Sequence, residues 1–317
     1  MTSNNPLSQL KDLTTEAINP ASQNIDTLSA LEIVRLINAQ DTEVPLAVGK
    51  ESENIAAAIE VITDRIRNGG RLLYLGAGTS GRLGVLDASE CPPTFSTPSE
   101  MVVGIIAGGY DALHSAAEGI EDQPETAVQD LQNHNLSNRD VLVGIATSGR
   151  TPYVIGGLEF AQRTGAFAIG LACNANSALE AVSDLVIAPI VGPEVITGST
   201  RMKAGTATKL VLNMLTTGTM IRLGKTYGNL MVDLRATNTK LTARVQRLAA
   251  RLTGLSEAGV APHLEACNGE LKTTVVAVCC ETTPNEARRL LSAADGQLRR
   301  ALQTDDGTTT TDSGTPS

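Results

Sequence analysis

The chain has 317 residues, a formal net charge of −9, 42% hydrophobic residues and only 2% aromatic residues, with no tryptophan. That length builds one large domain with a smaller companion, and the core must come from Ala, Val, Ile and Leu in helix-on-sheet layers. The negative balance argues against nucleic acid or an anionic membrane as partner, because both demand a basic footprint.

Residues 1–53 are polar with short apolar patches such as Leu28 to Ile37, and they predict an N-terminal helical segment. Ile55, Ile59, Ile62 and Ile66 then recur at helical spacing, with Gly69-Gly70 as the stop. From Arg71 the pattern becomes strand, glycine turn, helix, repeated. Leu72 to Leu75, Val102 to Ala107, Val141 to Ala146, Ala166 to Leu171 and Leu185 to Val191 are continuous apolar runs separated by segments long enough for crossover helices. Unbroken apolarity marks strands buried on both faces, so residues 54–224 are expected to form an α/β domain with a doubly wound, parallel, five-stranded sheet. Ala204 to Leu223 predicts a further helix, entered through Gly198-Ser199-Thr200-Arg201-Met202-Lys203. Residues 225–302 are expected to be a small helical domain, with Leu241, Val245, Leu248 and Leu252 on one face and Gly254 as a stop. Within it, Thr273 to Cys279 suits a strand on propensity alone. Residues 303–317, rich in Thr, Ser, Asp and Gly, are expected to be a disordered tail.

Two of the strand-like runs lead into the same four residues. Leu72 to Leu75 runs into Gly76-Ala77-Gly78-Thr79-Ser80-Gly81-Arg82, and Val141 to Ile145 into Ala146-Thr147-Ser148-Gly149-Arg150. Glycines let the backbone approach a ligand closely, while hydroxyls and a helix N-terminus supply donors and partial positive charge, so each loop reads as an anion cradle. The first also satisfies the Gly-x-Gly-x-x-Gly dinucleotide fingerprint, but the second strand ends in Gly108-Gly109 where a ribose-binding acid belongs. A sugar phosphate held between two hydroxyl-rich loops fits better. Arg82 and Arg150 either touch that phosphate or cap and solvate. Lys203, behind Ser199 and Thr200, is a candidate for charge neutralisation, because a merely exposed first-turn lysine would oppose the helix dipole.

Asp87-Ala88-Ser89-Glu90-Cys91-Pro92-Pro93-Thr94 puts two carboxylates where the proline pair is expected to end a helix, which makes Glu90 a candidate general acid. The segment Asp111 to Asp122 carries Glu118 and Glu121, which a helix would place on one face; by its residues alone this reads as a solvated acidic face. His114, His134 and His263 lack metal-ligand spacing. The five cysteines, Cys91, Cys173, Cys267, Cys279 and Cys280, are odd in number with no Cys-x-x-Cys pair, which suits reduced thiols in a cytoplasm. Met1 to Asp12 shows no leader pattern, and no apolar run reaches the roughly 18 residues of a membrane helix.

Four segments, Gly76 to Thr94, Ala146 to Gly157, Val191 to Thr208 and Asn229 to Leu241, closely resemble the N-acetylmuramic acid 6-phosphate etherases, a family of the sugar isomerase (SIS) domain superfamily. The likeness runs from about Leu13 to Leu302, and Asp87 to Thr94 is its most specific stretch. The resemblance implies a catalytic pair at Glu90, as proton donor to the leaving group, and Glu121, as the other acid/base residue. It implies phosphate contacts at Thr79, Ser80, Ser148 and Thr151, with Ser199 and Lys203 from the third loop. It further implies a small-molecule sugar phosphate as ligand, no metal or redox cofactor, a homodimer with sites completed by the partner subunit, and a helix at Thr273 to Cys279. A sugar-phosphate-sensing regulator and an aldose–ketose isomerase share the same cradles and are the alternative readings.

Overall fold

A computed structural model of the chain describes residues 13–115, 119–233 and 239–303. The predicted tail at 303–317 falls outside them from residue 304 on, as do residues 1–12, Glu118 and residues 234–238 of the last resembling segment. The chain forms two compact units: one runs to Cys91 and resumes over Pro98–Thr219, and the other takes Pro92–Thr97 with everything from Met220 on.

The first unit begins with an extended strap punctuated by 3-10 turns at Thr14–Glu16, Pro20–Ser22 and Ile25–Thr27, followed by helices α1 (Ala30–Asp41), α2 (Glu43–Gly49) and α3 (Ser52–Arg67). Ser29 and Glu32 close a capping box on α1. On α3, Ile55, Ile62 and Ile66 are buried, and Gly69 at φ +80° ends the run as its spacing predicted.

The sheet follows, with β1 (Leu72–Gly76), β2 (Val102–Ile106), β3 (Val141–Ile145), β4 (Phe167–Leu171) and β5 (Leu185–Ile187). All pairings are parallel, in the spatial order β2-β1-β3-β4-β5. β1 and β3 are buried at every position, which explains their unbroken apolar runs. The crossover helices are α4 (Gly78–Phe95), α5 (Pro124–Asn133) and α6 (Pro152–Thr164), and α7 (Lys203–Arg222) closes the unit. Leu73, Leu75, Leu142, Val154 and Leu158 belong to one core cluster. The order in which strands are added reverses at β1, first outwards to β2 and then back to β3 on the other side, so the loops after the parallel neighbours β1 and β3 face each other at the carboxyl edge of the sheet.

The second unit holds a two-stranded ribbon, β6 (Thr226–Tyr227) with β7 (Leu230–Met231), and helices α8 (Thr239–Thr253), α9 (Glu257–Ala266), α10 (Leu271–Cys279), α11 (Pro284–Ala293) and α12 (Leu298–Gln303). The ribbon has no counterpart in the sequence reading, being two residues long on each side. Thr273 to Cys279 is helical despite its β-branched composition. Val275 and Val276 sit in the unit's core, and Thr273 and Thr274 satisfy their hydroxyls locally on the Glu270 carboxylate and carbonyl, so tertiary burial overrides propensity.

Two local expectations are corrected. The proline pair does not end α4, which continues to Phe95 and closes with the Ser96 N–H donating to the Pro92 carbonyl at 2.9 Å. Pro92 and Pro93 withhold only the two N–H groups that would have served Ala88 and Ser89, so Glu90 lies within the helix and the end-of-helix dipole argument for it falls. Nor is Asp111 to Asp122 one helix. The described residues form 3-10 turns at Gly109–Leu113 and Ile120–Asp122, with Gly119 at φ +75°, so Glu121 stands on a short 3-10 turn and not on a long α-helix; the expected pairing with Glu118 lies outside the described residues.

Candidate active site

The two Thr-Ser-Gly-Arg loops meet. Thr79 and Ser80 from the first turn of α4, Thr147, Ser148 and Thr151 ahead of α6, and Gly198, Thr200, Gly205 and Thr208 from the third loop and α7 line one cavity of about 210 Å³. Backbone geometry makes the approach close. A Cβ on Gly81 would lie 2.6 Å from the Gly76 carbonyl oxygen, so the first turn of α4 rests directly on the end of β1. Gly149, at φ +71°, lets the second loop turn where a Cβ would meet that of Ser177 at 2.2 Å. Thr151 precedes α6 and makes no side-chain capping bond, which leaves its hydroxyl to the cavity. Hydroxyls and the amino ends of α4 and α6 thus converge on a site suited to a phosphate.

The third loop behaves differently from its sequence reading. The buried Glu194 carboxylate accepts both the Lys203 N–H and the Ala204 N–H at 2.9 Å, so the amino end of α7 is already capped by an internal anion. Lys203 is itself buried at 4% exposure, with its ammonium 3.4 Å from Gln40 Oε1. Burial lowers its pKa against the pull of Glu194, Asp41 and Glu43. Neither Lys203 nor Ser199 lines the cavity; Thr200 and Thr208 take that place. Neither Arg82 nor Arg150 is among the residues that line it. Arg82 donates to the carbonyls of Leu113 (3.1 Å), Ala112 (2.8 Å) and Ser115 (3.2 Å), and so staples the segment that leads to Glu121.

Glu121 lines the loop cavity, as does Glu16, a residue to which no sequence signal pointed. Asn174, 1% exposed, fixes the strap beneath Glu16: its Oδ1 accepts from Thr14 Oγ1 and the Thr15 N–H, while its Nδ2 donates to Thr15 Oγ1 and to the Thr147 carbonyl of the second loop. Asn19 adds a second tie, donating to Gln40 Oε1 and the Pro193 carbonyl.

Glu90 lines a separate, neighbouring cavity of about 240 Å³ with Leu83, Leu86, Asp87, Lys209, Leu212 and Asn213. Leu83 belongs to both cavities and forms the wall between them. Glu90 itself is exposed, whereas Asp87 one turn earlier is buried, accepting hydrogen bonds from Tyr74 (2.9 Å), Asn213 (2.8 Å) and Thr216 (3.3 Å). Burial raises the Asp87 pKa, and these three donors offset part of the rise. Cys91, next to Glu90, is a buried thiol pushed up to about 12 by burial and then by Asp87, and is therefore no nucleophile.

Profiles of two protein families match this chain: the glucokinase regulatory protein N-terminal SIS domain over residues 54–162 and the SIS domain over residues 121–218. The N-acetylmuramic acid 6-phosphate etherase of Rhodopirellula baltica is 63% identical over 298 residues, covering 94% of this chain and 99% of its own. The enzyme of the same name from Streptomyces avermitilis is 54% identical over 294 residues, covering 93% and 94%. Among solved structures, a phosphoheptose isomerase from Neisseria gonorrhoeae covers 60% of this chain and 98% of its own at 20% identity, with a TM-score of 0.47. With its parallel five-stranded sheet, its facing hydroxyl-rich loops and relatives of this identity over nearly their whole length, the chain belongs to the N-acetylmuramic acid 6-phosphate etherase family.

Proposed function

We propose that this protein cleaves the D-lactyl ether at C3 of N-acetylmuramic acid 6-phosphate, giving N-acetylglucosamine 6-phosphate and D-lactate in amino sugar and cell-wall catabolism. The observation that carries this reading is the pair of adjoining cavities, one hydroxyl-lined with Glu121 and one largely apolar with Glu90, on a chain 63% identical to a relative of that name. The phosphate is held by Thr79, Ser80, Ser148 and Thr151 together with the amino ends of α4 and α6. Thr200 and Thr208 supply further hydroxyls, while Ser199 and Lys203 support the third loop from behind. Glu16 accepts hydrogen bonds from sugar hydroxyls; a carboxylate there is repelled by a phosphate and therefore faces the other end of the substrate.

An ether oxygen leaves poorly unless it is protonated, and the C2 hydrogen is acidic only in the open-chain sugar, where C1 is an aldehyde. In that form the Glu121 carboxylate removes the C2 proton and the C3–O bond breaks. Glu90 gives its proton to the departing lactyl oxygen. D-Lactate leaves, and an α,β-unsaturated aldehyde remains. Water then adds at C3, yielding its proton to Glu90, while Glu121 returns a proton to C2. Each carboxylate ends as it began. Positioned acids and bases of this kind contribute about a hundred- to ten-thousand-fold each.

The reading includes a cytoplasmic homodimer whose partner subunit completes the site. Leu86 and Met214 are 48% and 44% exposed on α4 and α7, the two helices that carry Glu90 and Lys209, and α1 buries none of its residues while exposing Leu31 and Val34. An apolar surface of this kind supports a covering protomer. No helix among the described residues is long and apolar enough to cross a membrane. The test is D-lactate release from purified protein given N-acetylmuramic acid 6-phosphate. The wild type releases lactate and Glu90→Gln falls at least a hundred-fold, by the lower bound for a positioned acid. Absence of release by the wild type, or undiminished release by Glu90→Gln, rejects the assignment, and sugar-phosphate interconversion without lactate selects an isomerase instead.

A further inference from the structure

We infer that the cavity beside Glu90 is a subsite for the lactyl group and that Lys209 is its carboxylate-binding residue, which determines specificity for an acid-bearing ether. The inference rests on the etherase reading above. A substrate that is both a phosphate ester and a carboxylic acid brings two anionic ends, and the chain as a whole is negative. Yet no lysine or arginine lines the loop cavity among the described residues, where neutral hydroxyls and helix ends meet the phosphate. Among the described residues, Lys209 is the one cation lining the second cavity.

Its ammonium is placed by a relay. Asn213 Nδ2 donates to Asp87 Oδ1, which turns the Asn213 carbonyl oxygen towards Lys209, whose Nζ donates to it. Tyr74, Asn213 and Thr216 already donate to Asp87, so that carboxylate acts on Lys209 through its charge and not through a direct hydrogen bond. Two donors of the ammonium remain for a ligand. Besides Asp87 and Asn213, the lining includes Leu83, Leu86 and Leu212, an apolar wall suited to the methyl group, with Glu90 at hand for the ether oxygen.

From phosphorus to the lactyl carboxyl carbon an open-chain substrate has eight bonds, about 10 Å when extended at about 1.2 Å per bond, so it reaches beyond the cavity that holds its phosphate into the neighbouring one. Leu83 stands between, one turn beyond Ser80, so a sugar anchored in the first cavity lays its C3 substituent past this side chain into the second.

The test compares wild type, Lys209→Met and Lys209→Arg in three assays: lactate release from N-acetylmuramic acid 6-phosphate, ether cleavage of the analogue whose lactyl carboxylate is a neutral amide, and C2 hydrogen exchange of N-acetylglucosamine 6-phosphate, which has no lactyl group. The wild type should prefer acid over amide. Lys209→Met should lose about 10- to 100-fold in kcat/KM on the acid, the usual weight of a hydrogen bond to a charged group, and little on the amide or in exchange. Lys209→Arg should retain most of the preference. Equal losses on acid and amide, slowed exchange, or an unchanged acid-over-amide ratio in Lys209→Met each overturn the subsite. Failure of the Glu90 reading is distinguishable, because Glu90→Gln would then cleave acid and amide at wild-type rates whatever Lys209→Met does.

Discussion

The second loop turns where only glycine fits, and the cost of breaking that rule follows from the structure. Gly149 has φ +71°, and a Cβ there would lie 2.2 Å from the Cβ of Ser177. In Gly149→Ala the left-handed backbone costs about 1–2 kcal/mol and the overlap with Ser177 about 1–3 kcal/mol more. Any relief of the clash moves Ser148, so substrate affinity falls with stability. Gly78 in the first loop is the control. Its φ is +54° but nothing lies within 4 Å of the added atom, so Gly78→Ala should lose only the backbone part. Ser177→Gly removes the opposing Cβ at a cost of a few tenths of a kcal/mol, as glycine is tolerated at a helix N-cap. Combined with Gly149→Ala it should recover about 1–3 kcal/mol relative to the sum of the single changes, a coupling between neighbours. Urea unfolding at constant slope reads all four variants, and KM follows in parallel. Equal losses for Gly78→Ala and Gly149→Ala, or no recovery in the double variant, would refute the close-approach argument.

Other outcomes follow from groups around the site. Asp140, with its side chain 2% exposed, is raised by burial but held lower overall by Arg71, 2.9 Å away, and by Ser137. Its folded pKa lies below the unfolded value, so its stabilisation is present above the ordinary carboxylate range and lost as pH falls through the folded pKa. Asp140→Asn should therefore lose about 3 kcal/mol at neutral pH, with the gap from wild type closing in acid, while kcat is unchanged. Asn174→Ala unties the strap from the second loop and leaves the Thr15 and Thr147 groups unpaired, so KM should rise about ten-fold by the weight of such bonds; Glu16→Ala should raise it similarly without lowering the melting temperature. Thiol titration of the native protein should label Cys279, which is exposed, and spare Cys91 and Cys173, whose thiols burial pushes up to about 12, until the protein unfolds.

What was legible in the sequence is what local pattern encodes. Continuous apolar runs mark buried parallel strands, and glycine with hydroxyls after two of them marks the facing loops, so the sheet and the loop cavity could be read directly. Pairings distant in sequence could not. Glu194 capping α7, and the burial of Lys203 against Gln40, depend on partners up to 163 residues away, and they turn an apparently free lysine inwards. Glu16 enters the site because Asn174 holds the strap across 159 residues. Arg82 resembles a phosphate ligand by position, yet the carbonyls of Ala112, Leu113 and Ser115 claim it. The separation of Glu90 from Glu121 by Leu83 is a fact of helix rise, invisible until α4 is placed against the loops.

Elimination across the C2–C3 bond followed by addition of water exchanges both the C2 proton and the C3 oxygen with solvent. The most direct measurement is turnover of N-acetylmuramic acid 6-phosphate in heavy-oxygen deuterium oxide, with both products analysed by mass spectrometry and NMR. The predicted result is N-acetylglucosamine 6-phosphate with deuterium at C2 and heavy oxygen at C3, and D-lactate whose hydroxyl oxygen is the original one. Glu121→Gln should lose deuterium incorporation and lactate release together, while Glu90→Gln should still exchange C2 hydrogen in N-acetylglucosamine 6-phosphate. Product with its original C3 oxygen and solvent oxygen in the lactate would place the cleavage on the other side of the ether and contradict the account.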